Sequence, residues 1–278
     1  MNPPAGSRIL IIGIRRTGKS TLALFLAIDS GARFIIIWDP NNNFRAFPAA
    51  RTKDELESML DEHQEQQEQL LAVIPLYGPR PAQRQKRVIL RYLPHPNHLE
   101  DEFEAFSDIV RRRLAGHYAV LIDESDEAVQ SRQQMSDSMA WWMRRAPTEQ
   151  DWPETVEVIQ MTHSPQDVYT RARNLVTDVY VFRTNGQPEL EWLEDYTQNP
   201  EIADRARSLE TPTRQNPNGS RHVLHIYDGP GGEKEFEVLT DPEEWYIQIG
   251  SNRGQFQQQR ESQELEEDEE GQRRQLGS

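Results

Sequence analysis

Short runs of aliphatic and β-branched residues alternate with longer segments of mixed polarity over the first two-thirds of the chain. Arg8-Ile-Leu-Ile-Ile-Gly13 is apolar at consecutive rather than alternate positions, which predicts a strand buried on both faces. Thr17–Asp29 follows as a helix whose Leu22, Leu24, Phe25, Leu26 and Ile28 spread round its circumference, so it is expected inside the protein; Ser30-Gly31 stops it. The same reading predicts strands at Phe34–Trp38, Arg87–Leu93, Tyr118–Ile122, Thr155–Met161 and Asp178–Phe182. Helices are expected at Asp54–Leu71, His98–Leu114 and Asp126–Arg145, the last halted before Pro147. Doubly apolar strands that alternate with helices predict an α/β fold, a mainly parallel sheet covered on both sides.

The pattern changes after residue 200, which closes the expected main domain, 1–200. Residues 201–220 read as a linker, since Glu210–Ser220 is rich in Pro, Asn, Thr and Gly. Residues 221–249 hold two short strand patterns, Val223–Tyr227 and Glu235–Leu239, around Gly229-Pro-Gly-Gly232, and predict a small β-appendage. Residues 250–278 are Gln- and Glu-rich, almost wholly acidic over Glu264–Glu270, and are expected to be a disordered tail.

The clearest chemistry lies where the first strand gives way to the first helix. Gly13-Ile-Arg15-Arg16-Thr17-Gly18-Lys19-Ser20 matches G-x-x-x-x-G-K-[ST] at every fixed position, with Thr21 next in the helix. Glycines let the loop curl round an anion, backbone N–H groups and the helix N-terminus point at phosphate, Lys19 reaches the β- and γ-phosphates, and the Ser20 hydroxyl suits Mg²⁺. The pattern predicts a nucleoside triphosphate site without naming the reaction. Tyr118-Ala-Val-Leu-Ile carries Asp123-Glu124 out of a strand end, where open α/β sheets bind ligands. Asp123 is the second candidate for Mg²⁺; Glu124 is the candidate base that polarises an attacking water, which suits an ATPase rather than a kinase. The fifth strand brings Gln160 and Thr162 onto one face, with His163 after them, as candidate sensors of the terminal phosphate. Among several arginines, Arg144, Arg145, Arg171 and Arg173 are candidates to stabilise transition-state charge from a neighbouring subunit.

Composition narrows the classes. The 278 residues contain no Cys, which excludes disulfides, zinc knuckles, Fe–S clusters and thiol catalysis. The histidines show no spacing suited to a metal. No apolar run approaches the ~18 residues of a membrane span, and Met1–Ser7 has no signal-peptide pattern, so a soluble intracellular protein is expected. The net charge of −15 argues against a basic coat for nucleic acid but leaves room for a local basic channel. Leu70–His98 holds no acid and carries Arg80, Arg84, Lys86, Arg87 and Arg91. Such a loop suits the backbone of a nucleic acid; it equally suits a surface loop balanced by the acidic helix before it. Met139, Trp141, Trp142 and Met143 read as core or subunit interface rather than a base-stacking platform.

Together these motifs resemble the FtsK/HerA superfamily of P-loop DNA-pumping ATPases, and within it the genome-packaging ATPases of tailless, membrane-containing icosahedral viruses. The resemblance rests on the loop Gly13–Ser20, Trp38-Asp39-Pro40-Asn41, Asp123-Glu124, Ile159-Gln-Met-Thr-His-Ser-Pro165, Arg171, Arg173 and Val179-Tyr-Val-Phe-Arg183, and covers Arg8 to Arg183. The family usually has Thr-Gln where this chain has Thr162-His163, so Gln160, Thr162 and His163 all stay open as sensor. The resemblance implies a three-layer RecA-like fold and ATP with Mg²⁺ at the interfaces of a homo-oligomeric ring, a hexamer round double-stranded DNA. It also implies a capsid-vertex or portal partner, and a place in the cytoplasm of an infected cell or on the virion at a packaging vertex. An export ATPase, a small-molecule or nucleotide kinase and an ATP-switched assembly adaptor are the alternatives.

Overall fold

The computed structural model describes residues 6–14, 17–64, 87–114, 116–125, 136–144, 155–166, 168, 173–211, 221–228 and 233–240. All of them fall in one compact unit, Met1–Asp241; the second, Pro242–Ser278, which includes the expected tail, lies outside the described residues. The strands are β1 (Arg8–Ile12), β2 (Phe34–Trp38), β3 (Ala49–Ala50), β4 (Val88–Tyr92), β5 (His117–Ile122), β6 (Thr155–Thr162), β7 (Asp178–Phe182), β8 (His222–Asp228) and β9 (Lys234–Thr240). The helices are α1 (Lys19–Asp29), α2 (53–64), α3 (Leu99–Arg113), α4 (Asp137–Arg144), α5 (Gln187–Thr197) and α6 (Glu201–Ser208). Among the described residues no helix is long and apolar enough to cross a membrane.

The strands form one sheet in the order β3-β4-β2-β5-β6-β1-β7-β8-β9. Pairing is parallel from β3 through β7 and antiparallel for β7–β8 and β8–β9. The consecutive apolar runs are explained by burial on both faces: all five residues of β2, β4 and β7 are buried. One alternate set, including Leu10, Ile12, Ile36, Trp38, Leu90, Tyr92, Val120 and Ile122, joins a core cluster with side chains of α2, α3, α4, α5 and α6. The other set, Ile9, Ile11, Ile35, Ile37, Leu121, Ile159 and Met161, is also buried, and α1 packs on β1, β5 and β6. Met139, Trp142 and Met143 belong to the core, and Trp142 Nε1 donates to Ser107 Oγ at 2.9 Å. Trp141 is partly buried, with the Arg111 guanidinium 5.1 Å from its ring centre.

The two strands expected after residue 220 are present, and they continue the main sheet by antiparallel pairing, β8 with β7 and β9 with β8. His225 ties that edge together: Nε2 is 3.0 Å from Asp178 Oδ1 on β7, Nδ1 is 3.1 Å from Glu237 Oε1 on β9, and the ring stacks on Tyr180 at 4.3 Å. Part of the stretch read as linker is helical. Ile202, Ala203 and Ala206 of α6 are buried, an apolar stripe too short to stand out among Glu, Asp and Arg.

Candidate functional site

β1 sits between β6 and β7, and β6 separates it from β5. The chain therefore leaves β1 toward one side of the sheet and later returns to the other. Such a switch point opens a crevice at the C-terminal ends of parallel strands. Three strand ends meet there: Gly13 after β1, Asp123-Glu124 after β5, and His163 after β6. Backbone bonds fix their mutual heights. Gly13 N donates to Thr162 O at 3.3 Å, Asp123 N to Trp38 O at 3.0 Å, and Ser125 N to Met161 O at 2.9 Å.

The loop after β1 requires its glycines. A Cβ on Gly13 would fall 2.8 Å from Thr17 Oγ1 and 2.9 Å from Phe182 Cβ. Gly18 adopts φ 111°, in the left-handed region, and opens α1 without a side-chain cap or an acid in the first turn. The uncapped N–H groups and the helix dipole leave this end suited to an anion. Lys19 is buried at the first turn; Nζ donates to Gly13 O at 2.6 Å and Ile14 O at 3.4 Å and lies 3.1 Å from His163 Nδ1. Thr17 Oγ1 donates to Ile14 O at 2.8 Å, closing the loop on itself. Ser20 and Thr21 follow in the first turn of α1, both half-buried. Arg15 and Arg16 lie outside the described residues.

The acid pair is held from below. Asp39, fully buried at the end of β2, accepts from the N–H groups of Asn43 at 2.6 Å and Phe44 at 3.1 Å and from Arg91 Nη1 at 3.1 Å. Asn43 in turn donates its side-chain N–H to Asp123 Oδ2 at 2.7 Å. Burial pushes the Asp123 carboxyl up to about 7, Glu124 and Asp39 push the same way, and the Asn43 hydrogen bond and Lys19 oppose them. Ser20 at the helix start and Asp123 at the strand tip offer the oxygen donors that Mg²⁺ takes. Among the described residues no group of three or more His, Cys, Asp or Glu could hold a metal ion. Glu124 has φ 47°, a left-handed conformation that costs a non-glycine residue about 1–3 kcal/mol and recurs at functional sites. Its Oε1 lies 2.8 Å from His163 Nε2, a close contact whose angles fall outside hydrogen-bonding geometry.

The structure thus brings Lys19, Glu124, Asp123 and His163 to one place beside the loop Gly13–Ser20, and it places Gln160 and the Thr162 hydroxyl elsewhere. Gln160 is fully buried two residues below the tip of β6, about 6–7 Å back along the strand. Its amide donates to Met143 Sδ at 2.9 Å, so it packs into the core instead of facing a phosphate. Thr162 is buried and its hydroxyl closes the turn, donating to Ser164 O at 2.9 Å. Arg173 is half-buried, and burial lowers its pKa; Arg171 and Arg145 lie outside the described residues. Of the basic stretch, Arg80, Arg84 and Lys86 also lie outside them. Arg87 Nε donates to Ala32 O at 3.2 Å beside the N-terminal ends of β2 and β4, the sheet edge opposite the crevice. Arg91 is a correction to the basic-loop reading: it is buried on β4, where Asp39, the Phe47 carbonyl and the Asn42 side-chain oxygen receive its guanidinium.

Two neighbours went unsuspected. Asn43 showed only as one of three Asn in a turn. Arg221 showed no motif at all, yet a Cβ on Gly18 would lie 3.6 Å from Arg221 Cδ and 3.6 Å from the Phe182 ring. The start of β8 is therefore folded against the loop.

No protein-family model and no curated protein matches this chain. Solved structures do. The genome packaging NTPase B204 from Sulfolobus turreted icosahedral virus 2, in complex with ATP-gammaS, aligns with a TM-score of 0.55 at 14% identity, over 85% of this chain and 98% of that one. The same protein in complex with AMPPCP gives 0.55 at 15% identity, over 84% and 97%. B204, the DNA-packaging ATPase from Sulfolobus Turreted Icosahedral Virus, gives 0.50 at 15% identity, over 85% and 98%. At this identity the likeness is one of fold. With the loop, the acid pair and the strand order already described, it makes this chain a RecA-like P-loop NTPase fold, similar in architecture to genome-packaging ATPases.

Proposed function

We propose that this chain is an ATP-driven translocase of double-stranded DNA that loads a viral genome into a preformed capsid. One observation carries the hydrolytic part: the buried Lys19 ammonium and the Glu124 carboxylate are separated by a single imidazole, with contacts of 3.1 and 2.8 Å. A kinase must keep water from the terminal phosphate; a carboxylate beside the phosphate-binding lysine suits an attack by water. The translocating part draws on the fold shared with packaging ATPases and on the motif order from Gly13 to Arg183.

In this reading the loop N–H groups and Lys19 hold the phosphates of ATP, and Glu124 takes the proton from the attacking water. Ser20 and Asp123 would hold Mg²⁺, which when bound neutralises charge on the β- and γ-phosphates. Arg171 or Arg173 reaches the pocket from the next subunit of a homo-oligomeric ring, a hexamer with DNA at its centre. Arg80, Arg84 and Lys86 remain the candidates for the DNA backbone; Arg87, held to Ala32 O, is a weaker one. The ring works in the cytoplasm of an infected cell or at a packaging vertex, against a capsid-vertex or portal protein.

The test is steady-state ATP hydrolysis by the full chain with and without linear duplex DNA. The expected result is hydrolysis that duplex DNA stimulates several-fold and that added salt suppresses, since phosphate contacts are screened. Hydrolysis indifferent to DNA would remove the translocase; transfer of phosphate to a small acceptor in place of water would make the chain a kinase.

A further inference from the structure

His163 is where this chain departs from Thr-Gln, and it stands at the centre of the site. Because β6 runs between β1 and β5, the first residue past its tip is flanked by the lysine's loop on one side and the acid pair on the other. Both ring nitrogens are engaged. Nδ1 lies 3.1 Å from Lys19 Nζ and Nε2 lies 2.8 Å from Glu124 Oε1. Nδ1 is also 3.1 Å from Gly13 O, the carbonyl that accepts from Lys19 at 2.6 Å. An ammonium only donates, so a neutral ring accepts a hydrogen bond from Lys19 at Nδ1 and carries its own proton on Nε2, facing the carboxylate.

We propose that His163 is a positioning residue for hydrolysis: its imidazole sets the Glu124 carboxylate at a fixed distance from the Lys19 ammonium, so that base and phosphate-binding cation are aligned as one unit. This rests on the hydrolytic reading above. Glu124 occupies a strained left-handed conformation with φ 47°, which needs restraint from its surroundings to persist. His163 supplies that restraint from a neighbouring strand. A glutamine at the position keeps one acceptor for Lys19 and one donor for Glu124; an alanine keeps neither.

The experiment compares wild type, His163→Ala, His163→Gln and Glu124→Gln in the full chain, measuring turnover and, separately, affinity for a non-hydrolysable ATP analogue. His163→Ala is expected to lower kcat about 10- to 100-fold, the size of effect that follows from ~1 Å of misplacement. Its affinity for the analogue stays within about twofold, and His163→Gln recovers most of the turnover. Residues that act as a unit are non-additive, so His163→Ala added to Glu124→Gln lowers the residual rate by less than about twofold. The inference is overturned if His163→Ala keeps its turnover, or if affinity falls in step with it. It is likewise overturned if His163→Gln is as slow as His163→Ala, or if the double variant shows the full additive loss. A wild-type chain that binds the analogue without hydrolysing ATP would instead overturn the proposed function, and this inference with it.

Discussion

Asp123 shows how neighbours decide what a carboxylate does. It has almost no exposure to water, stands next to Glu124 and shares the base of the site with Asp39, so its carboxyl is raised from an ordinary 3.8 to about 7. The folded chain holds this proton up to about pH 7, whereas the unfolded chain releases it near 3.8. Between those limits the folded state binds more protons, so this residue's contribution to stability declines as pH rises. Thermal unfolding in EDTA from pH 4 to 8 is expected to show a steeper decline for wild type than for Asp123→Asn, whose side chain does not titrate. Asp39, also raised by burial, leaves the variant a residual slope of the same sign. A divalent cation favours the ionised carboxylate, so Mg²⁺-dependent nucleotide affinity should strengthen as pH passes through about 7. Superimposable pH curves for wild type and Asp123→Asn would show that the carboxyl is not perturbed by its surroundings.

One scale up, the strand tips depend on a buried ion pair that links β2 to β4. Arg91 Nη1 lies 3.1 Å from Asp39 Oδ2, with side-chain exposures of 10% and 0%. Burial nonetheless keeps the Asp39 carboxyl above its usual range, so desolvation outweighs the pairing. Removing the arginine alone leaves an acid sealed in the core. Arg91→Ala is expected to cost about 3–5 kcal/mol in urea unfolding, and Asp39→Asn in the same chain to recover part of that loss. A cost below about 1 kcal/mol would mean water reaches Asp39. This pair was not legible from composition, which placed Arg91 in a basic stretch; the burial of β4 on both faces is what takes it out of water. The central strands were legible, because residues sealed on both faces are apolar at every position. Both α5 and α6 were not: Leu190 with Leu193, and Ile202 with Ala203 and Ala206, are brief stripes in polar surroundings. The pairing of β8 with β7 was also hidden, since the local pattern makes a strand but does not choose its neighbour. At the site, the glycines, Lys19 and the acids announced themselves through spacing. The depth of Gln160 did not, because period two gives the face of a residue and not its distance from the strand tip.

For the whole molecule, what matters is which parts of a working pocket one chain supplies. The cluster of Lys19, Asp123, Glu124 and His163 comes from the start of α1 and the ends of β5 and β6, and Arg221 lies against the loop at Gly18 from the start of β8. The proposed ring adds one component that a single chain does not provide to its own pocket, an arginine from the neighbour. That arrangement has a signature no single variant displays. Lys19→Ala should remove hydrolysis at its own pocket, and Arg173→Ala at the pocket next door. Each protein alone then has no complete site. Mixed and allowed to exchange subunits, they form some interfaces in which an intact Lys19 faces an intact Arg173. The expected result is that the mixture regains measurable ATP hydrolysis, rising with the time allowed for exchange, while each variant alone stays near background. If Arg173 served its own pocket, every subunit would still lack one component and mixing would recover nothing. The same experiment with Arg171→Ala identifies which of the two arginines crosses the interface, since only that one is rescued by its neighbour.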